Sequence, residues 1–331
     1  MFQLVFLLTK TIFPLIFTKM KLMKRLLLYS LSTVLFTGCK AQQNYVFVKQ
    51  KDNNTLLWQI SGNGLKKPSF LFGTFHLLCK DDIRFSDQLK KAVKSSDEIY
   101  MELDMDDPSI MLSGMLYMNM KNGEKLQDLY TPEEYKRLQN YFSDTLKMPI
   151  MMLQSAKPYF LVALLYPRMM NCSDPSGVEE ELVKIAKEDK KAIKGLETMQ
   201  FQASVFDSIP YEWQAKELLN NIDSFSVYKD EFATMLGFYK NQQLDSLQSS
   251  LGKSEFGSDK YNDLLLNNRN KNWVAQLKEI MKKESVFVAV GAGHLVGDEG
   301  LINLLKKAGY KVEPLENKEF SSDKAQMTIA N

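Results

Sequence analysis

Ser69-Phe70-Leu71-Phe72 runs straight into Gly73-Thr74-Phe75-His76, and far along the chain the apolar run 285–290 leads into Gly291-Ala292-Gly293-His294. In both places a short apolar run of strand length meets a glycine and then, three residues on, a histidine. The 331-residue chain has 2 histidines, and these are both of them. With only 16 glycines in the sequence, chance is a poor account of the shared spacing. The two histidines are expected in one site.

Outward from each motif the pattern repeats. Leu56-Leu57-Trp58-Gln59-Ile60 precedes the first, across the turn-rich stretch 61–68, and predicts a hairpin. A helix over 86–95 and a strand over 98–103 follow His76. After His294 come an amphipathic helix over 299–308 and a strand over 310–315. Two strand, Gly-x-x-His, helix, strand units predict an α/β (α+β) fold with a central mixed, largely parallel sheet, an N-terminal β-hairpin and a large helical insertion. Ligands of such sheets sit beyond the carboxyl ends of the strands, which is where both histidines fall.

The insertion spans about residues 108–273. Apolar residues at helical spacing mark 110–118, 132–142, 158–170, 177–189 and a long stretch from 211 to 251, and only 192–197 reads as a further strand. Met111, Met115, Met118, Met120, Met151 and Met152 read as core or lid packing, because no cysteine or histidine accompanies them as it would in a metal-binding box. The body is expected to be a single catalytic domain over 55–316, after a spacer at 39–54 and before a polar tail at 317–331.

Composition is that of an ordinary globular protein, 45% hydrophobic and 25% charged. The formal charge of +2 misleads, since residues 1–38 hold Lys10, Lys19, Lys21, Lys24 and Arg25 and no acid. The remainder is mildly acidic, which gives no electrostatic reason for a nucleic-acid partner. Met23-Lys24-Arg25 before an apolar run resembles a secretory signal, and Leu35-Phe36-Thr37-Gly38-Cys39 looks like a lipobox with Cys39 as the residue to be acylated. The earlier apolar run 1–18 suggests a true start near Met20 or Met23; an uncleaved membrane helix is the alternative. Either way the body faces an extracytoplasmic compartment of the bacterial envelope. With Cys39 lipidated, Cys79 and Cys172 remain as an even pair where disulfides persist, and a bridge would fasten the His76 loop to residues 168–176. Two separate buried thiols are the alternative.

Neutral imidazole is a ligand of choice for a divalent transition metal such as Mn, Co, Zn or Fe, and two histidines need a carboxylate to complete a site. Glu102, in Ile99-Tyr100-Met101-Glu102-Leu103-Asp104, is the leading candidate, because a glutamate between Met and Leu near a strand end needs a cation, a donor or solvent. Asp104 shares its strand face and is a second ligand or a turn residue. The alternative is a metal-free histidine pair hydrogen-bonded to backbone or carboxylates. No His-Glu-x-x-His, Gly-x-Ser-x-Gly, Walker loop or Cys-x-x-Cys occurs, which removes the zincin, serine-hydrolase and nucleotide-binding readings.

These motifs, together with Gly195-Leu196-Glu197-Thr198-Met199-Gln200-Phe201-Gln202 and Arg269-Asn270 before Trp273, resemble the TraB/GumN family, which includes the TIKI metalloproteases and is distantly similar to the erythromycin esterase and ChaN-like fold. The resemblance covers roughly residues 45–316. It implies a metal-dependent hydrolase acting on peptide or protein substrates, with His76, His294 and Glu102 as metal ligands or catalytic groups. Glu197 and Arg269 would line the site, and Gln200 is a further substrate-binding candidate. On that mechanism the metal activates water, Glu197 or Glu102 takes its proton, and Arg269 binds a substrate carboxylate or the oxyanion. A structural ion pair of Glu197 with Arg269 is the plainer alternative. Two other functions stay open: a non-catalytic envelope lipoprotein binding a peptide or haem-like ligand, and a surface interaction module.

The lipobox reading generates a first prediction. Cys39→Ser should move the chain out of the membrane fraction or leave its leader uncleaved; a processed chain that stays in the membrane fraction would overturn the anchor.

Overall fold

A computed structural model describes residues 45–251 and 259–318. The leader, with Cys39, and the tail beyond 318 lie outside the described residues. Six strands form one sheet: β1 (Leu57–Ser61), β2 (Ser69–Thr74), β4 (Glu98–Met101), β6 (Ile193–Gly195), β7 (Val286–Gly291) and β8 (Lys311–Pro314). Their order is β6-β4-β7-β2-β1-β8. The first four in that order are mutually parallel, while β1 runs antiparallel to both β2 and β8. The sheet is therefore mixed and largely parallel, as the duplicated unit predicts.

Burial explains the order. All six residues of β2 are buried, as are the first five of β7, which is what a central parallel strand covered on both faces requires. These two strands lie side by side with Phe70 opposite Phe287, Leu71 opposite Val288 and Thr74 opposite Gly291. Both histidine motifs thereby leave the sheet at the same edge. The terminal strand β8 does not join its own unit; it crosses to the far edge beside β1, where Lys311 stays exposed.

Helix α1 (Asp87–Ser95) starts at Ser86, whose hydroxyl accepts from Leu89 N at 3.1 Å. Helices α6 (Val178–Glu188), α11 (Asn268–Met281) and α12 (Leu301–Lys307) connect or flank the strands. The expected helix over 158–170 is two, α4 (Pro158–Ala163) and α5 (Tyr166–Met169), because Pro167 lacks an N–H and can enter a helix only in its first turn. The stretch 211–251 is likewise three helices, α8 (Tyr211–Asp223), α9 (Phe225–Lys240) and α10 (Leu244–Leu251), with Gln242 at φ 56° turning the chain between the last two. Of the methionines read as packing, Met120 is buried, but Met115, Met151 and Met152 are exposed. Helical spacing alone did not reveal which apolar faces lack a neighbour.

A second, two-stranded sheet was not expected. β3 (Leu78–Cys79) pairs antiparallel with β5 (Pro175–Ser176), and the Cys79–Cys172 disulfide beside it has its Cα atoms 5.9 Å apart. The bridge closes a loop of 93 positions, so removing it frees a large part of the unfolded chain. Cys172→Ala should lower the unfolding free energy by about 2–4 kcal/mol. Urea titration with and without reductant measures this, and coincident curves would show the bridge to be absent or without weight.

Candidate active site

Close packing of the two Gly-x-x-His loops depends on absent side chains. A Cβ on Gly73 would lie 3.1 Å from Ala292 Cβ and 3.1 Å from Leu295 Cδ2, so the first glycine lets the second loop lie on it. A Cβ on Gly291 would point into the middle of the site, 3.3 Å from Glu102 Oε1, 3.7 Å from His294 Cδ2 and 3.9 Å from His76 Nε2. Both imidazoles and the Glu102 carboxylate thus surround one point. Gly291 itself has an ordinary φ of −49°. Space, rather than a backbone angle closed to other residues, is what these two glycines provide.

The two histidines are held differently. His294, on the turn Ala292–His294, is buried, with Nδ1 2.7 Å from Asn270 Oδ1. The Asn270 amide nitrogen donates to the carbonyls of His294 and Glu299, which leaves its oxygen for the ring. His294 therefore carries its proton on Nδ1, and Nε2 accepts from Arg269 Nη1 at 3.1 Å. Burial, with the neighbouring guanidinium second, pushes its pKa down to about 3. Its ring also packs on Trp273 with centroids 4.4 Å apart.

Arg269, at the start of α11, has five N–H donors and uses all of them within the protein. Nε donates to Glu197, Nη1 to Leu265 O and His294 Nε2, and Nη2 to Glu102 Oε2 at 2.7 Å and Glu197 Oε2 at 2.8 Å. Glu102 also accepts from Gly291 N at 2.9 Å and Gln202 Nε2 at 3.2 Å. Burial would raise the Glu102 carboxyl, but Arg269, then His294 and His76, hold it well below the usual carboxylate range. Burial leaves Glu197 above its ordinary value despite the guanidinium.

Arg269 lines the cavity, and each of its N–H groups already has an acceptor within the protein. Glu197 keeps both oxygens on Arg269 and does not line the cavity, which matches the ion-pair reading rather than a proton acceptor. Gln200 is exposed on α7 (Met199–Asp207); the amide that reaches Glu102 belongs to Gln202, two residues on and on the opposite side of that helix. Asp104 accepts from Asp106 N at 3.2 Å and is a turn residue.

His76 is part-exposed, at 22% of its side chain, and its Nδ1 lies 2.7 Å from Glu179 Oε1. Glu179, in the first turn of α6, is buried and also accepts from Thr74 Oγ1 at 2.5 Å. Burial opposes its charge, yet His76 and Thr74 keep its pKa below the ordinary value. Neither Thr74 nor Glu179 stood out in the sequence. His76, Glu102 and His294 all line a cavity of about 270 Å³, which continues between Phe75, Tyr159, Tyr166, Phe232, Met235 and Leu265.

The profile of the TraB/PrgY/gumN family matches residues 56–314. The chain belongs to that family. Among curated relatives, zebrafish (Danio rerio) metalloprotease TIKI2 is 23% identical over 80% of this chain and 62% of its own length. Zebrafish metalloprotease TIKI1 is 22% identical over 84% and 65%, and human metalloprotease TIKI1 22% identical over 80% and 63%. The chain thus spans under two thirds of these relatives. No solved structure matches it.

The relatives' name implies a metal for them, and the donor types expected here are present. In the arrangement this TraB/PrgY/gumN member shows, they do not fit one ion together. The Nε2 lone pair of His294 and Glu102 Oε2 both accept from Arg269, although the 3.9 Å between His294 Nε2 and Glu102 Oε1 is itself within the span of one ion. A dication drawn onto all three would have to displace the guanidinium and face its charge. Among the described residues, no three His, Cys, Asp or Glu side chains are grouped to hold a metal.

His294 gives a pH prediction. A histidine near 3 when folded and about 6.5 when unfolded takes up its proton more readily on unfolding. Its contribution to stability is present above the unfolded value and is lost as pH falls from about 6.5 toward 3. The lowered carboxyls of Glu102 and Glu179 act the same way only below their ordinary values, and the raised Glu197 acts oppositely. Over the window from about pH 7 to about pH 5, Glu197 is common to the wild type and to His294→Asn, so the difference between them reports the imidazole. Over that window the wild type should lose more stability in urea titrations than His294→Asn; equal slopes would show that the buried imidazole titrates freely.

Proposed function

We propose that this chain is a peptidase-like hydrolase of the bacterial envelope, anchored by lipid at Cys39 and acting on peptide or protein substrates. The observation that carries the reading is the convergence of His76, Glu102 and His294 around Gly291 at the mouth of an apolar cavity. The name of the relatives, metalloprotease, supports the same reaction class.

The roles follow from the geometry. Of the two imidazoles lining the cavity, His76 is the part-exposed one and His294 is bonded to Arg269, so the Nε2 of His76 takes the proton of the attacking water and returns it to the leaving amine. Glu102 is held ionised and stabilises the imidazolium formed on His76. His294, neutral and bonded through Nε2 to Arg269, fixes that guanidinium and with it Glu102. The cavity excludes water and receives an apolar part of the substrate. A divalent transition metal, the cofactor expected from the sequence, is given no step in these roles, because Arg269 holds the His294 Nε2 and Glu102 Oε2 lone pairs.

Incubating the purified mature protein with a peptide library and reading the products by mass spectrometry tests the proposal. Cleavage should persist after exhaustive chelation. His76→Ala should reduce it by about 10²–10⁴-fold. Gly291→Ala should reduce it by at least about tenfold without loss of folding, since the added methyl fills the centre of the site. Cleavage that vanishes with chelator and returns with stoichiometric Mn, Co, Zn or Fe would replace this mechanism with a metal-dependent one. No cleavage at all would remove the hydrolase reading.

A further inference from the structure

We infer that Glu179 is the positioning residue of His76: it fixes the ring proton on Nδ1 and turns the Nε2 lone pair to the cavity, held in place by the disulfide-stapled β3–β5 sheet. The inference concerns how His76 is set, and its catalytic consequence rests on the hydrolase reading above.

Three observations carry it. First, one oxygen, Glu179 Oε1, accepts from both His76 Nδ1 at 2.7 Å and Thr74 Oγ1 at 2.5 Å, so the ring must donate from Nδ1 to an ionised carboxylate. The nitrogen near Gly291 is then Nε2, the one that carries no proton. Second, the arrangement is poor as a device for stability. Glu179 is only 3% exposed and its Oε2 has no hydrogen-bond partner, a burial that costs free energy. A fold gains nothing from such a carboxylate that an uncharged residue would not supply. Third, the segment carrying Glu179 is laced to the histidine loop from end to end. Cys79 is bridged to Cys172, Lys80 N donates to Asp174 O at 3.0 Å, Leu78 pairs with Ser176, and Val178 N donates to Phe75 O at 3.1 Å. Gly177 lies so close that a Cβ there would be 3.0 Å from His76 O and 3.3 Å from Glu179 Oε2. The duplicated motif has no such partner at its second copy, where Asn270, a neutral acceptor, takes the same Nδ1 position.

Because the chain has only 2 histidines, specific ¹⁵N-histidine labelling of the full mature protein reads each ring without ambiguity. In the wild type His76 should show protonated Nδ1 and unprotonated Nε2. Glu179→Leu should move His76 to the Nε2–H form that a free imidazole prefers, leave the His294 signals unchanged, and lower kcat by about 10²–10⁴-fold with KM altered less than about threefold. Glu179→Asp should restore part of both. An Nε2–H tautomer at His76 in the wild type overturns the inference whatever the variants do, so a variant that fails to fold does not shield it. An unchanged His76 tautomer in folded Glu179→Leu overturns it equally. A tautomer that shifts while cleavage is unaffected would leave the positioning role standing and sink His76 as the base.

Discussion

The five N–H groups of one guanidinium hold the site together. Arg269 joins the start of α11 to the residue after β4 through Glu102, to the loop after β6 through Glu197, and to the turn after β7 through His294. It is stacked over Trp273 at 4.8 Å, so the cation is covered by an aromatic face as well as by its acceptors. Burial lowers its pKa in principle, but Glu102 and Glu197 more than reverse this, and the charge is permanent. Removing it would strand two buried carboxylates, a loss of about 3–5 kcal/mol for a broken buried pair. The sheet edge and the first turn of α11 are for this reason a single electrostatic unit.

The same constraint separates the two histidines. Both close a Gly-x-x-His motif, and the sequence treats them as equivalent. In the folded chain one is walled in beside a permanent cation and stays neutral, while the other is part-exposed and paired with an anion. A cation beside an imidazole disfavours a second positive charge. The duplicated local geometry therefore yields one ring fixed as a strut and one ring set at the cavity.

Much of this was legible in the sequence. The parallel pairing of the two motif strands, the hairpin and the convergence of His76, Glu102 and His294 all follow from apolar run length, turn residues and the Gly-x-x-His repeat. The pairing of Cys79 with Cys172 follows from the cysteine count once Cys39 is set aside for lipid in the expected compartment. What was hidden is long-range burial of polar groups. Glu179 opens the run Glu179-Glu180-Glu181, which reads as a solvated acidic cap at a helix start. Only the first of the three is buried. Its signal was indirect: the expected bridge already tied Cys79, three residues past His76, to Cys172, seven residues before Glu179. Gln202 was displaced by Gln200 for a similar reason, since the side of α7 that meets Glu102 depends on where the helix docks and both glutamines fit the motif.

The strand order also bears on how the chain reaches its native state. β7 belongs to the last part of the sequence yet lies between β2 and β4, both made some two hundred positions earlier. Until residues 286–291 arrive, the inner edges of β2 and β4 are open ladders of unpaired backbone, flanked by mostly apolar side chains. Sheets closed by such distant partners form slowly, and the waiting edges are the natural sites of mispairing between chains. A chain emerging from its N-terminus must carry this exposed gap through more than half of its synthesis. The cost of placing two distant histidines side by side is therefore kinetic, and it falls on the interval before the sheet is sealed.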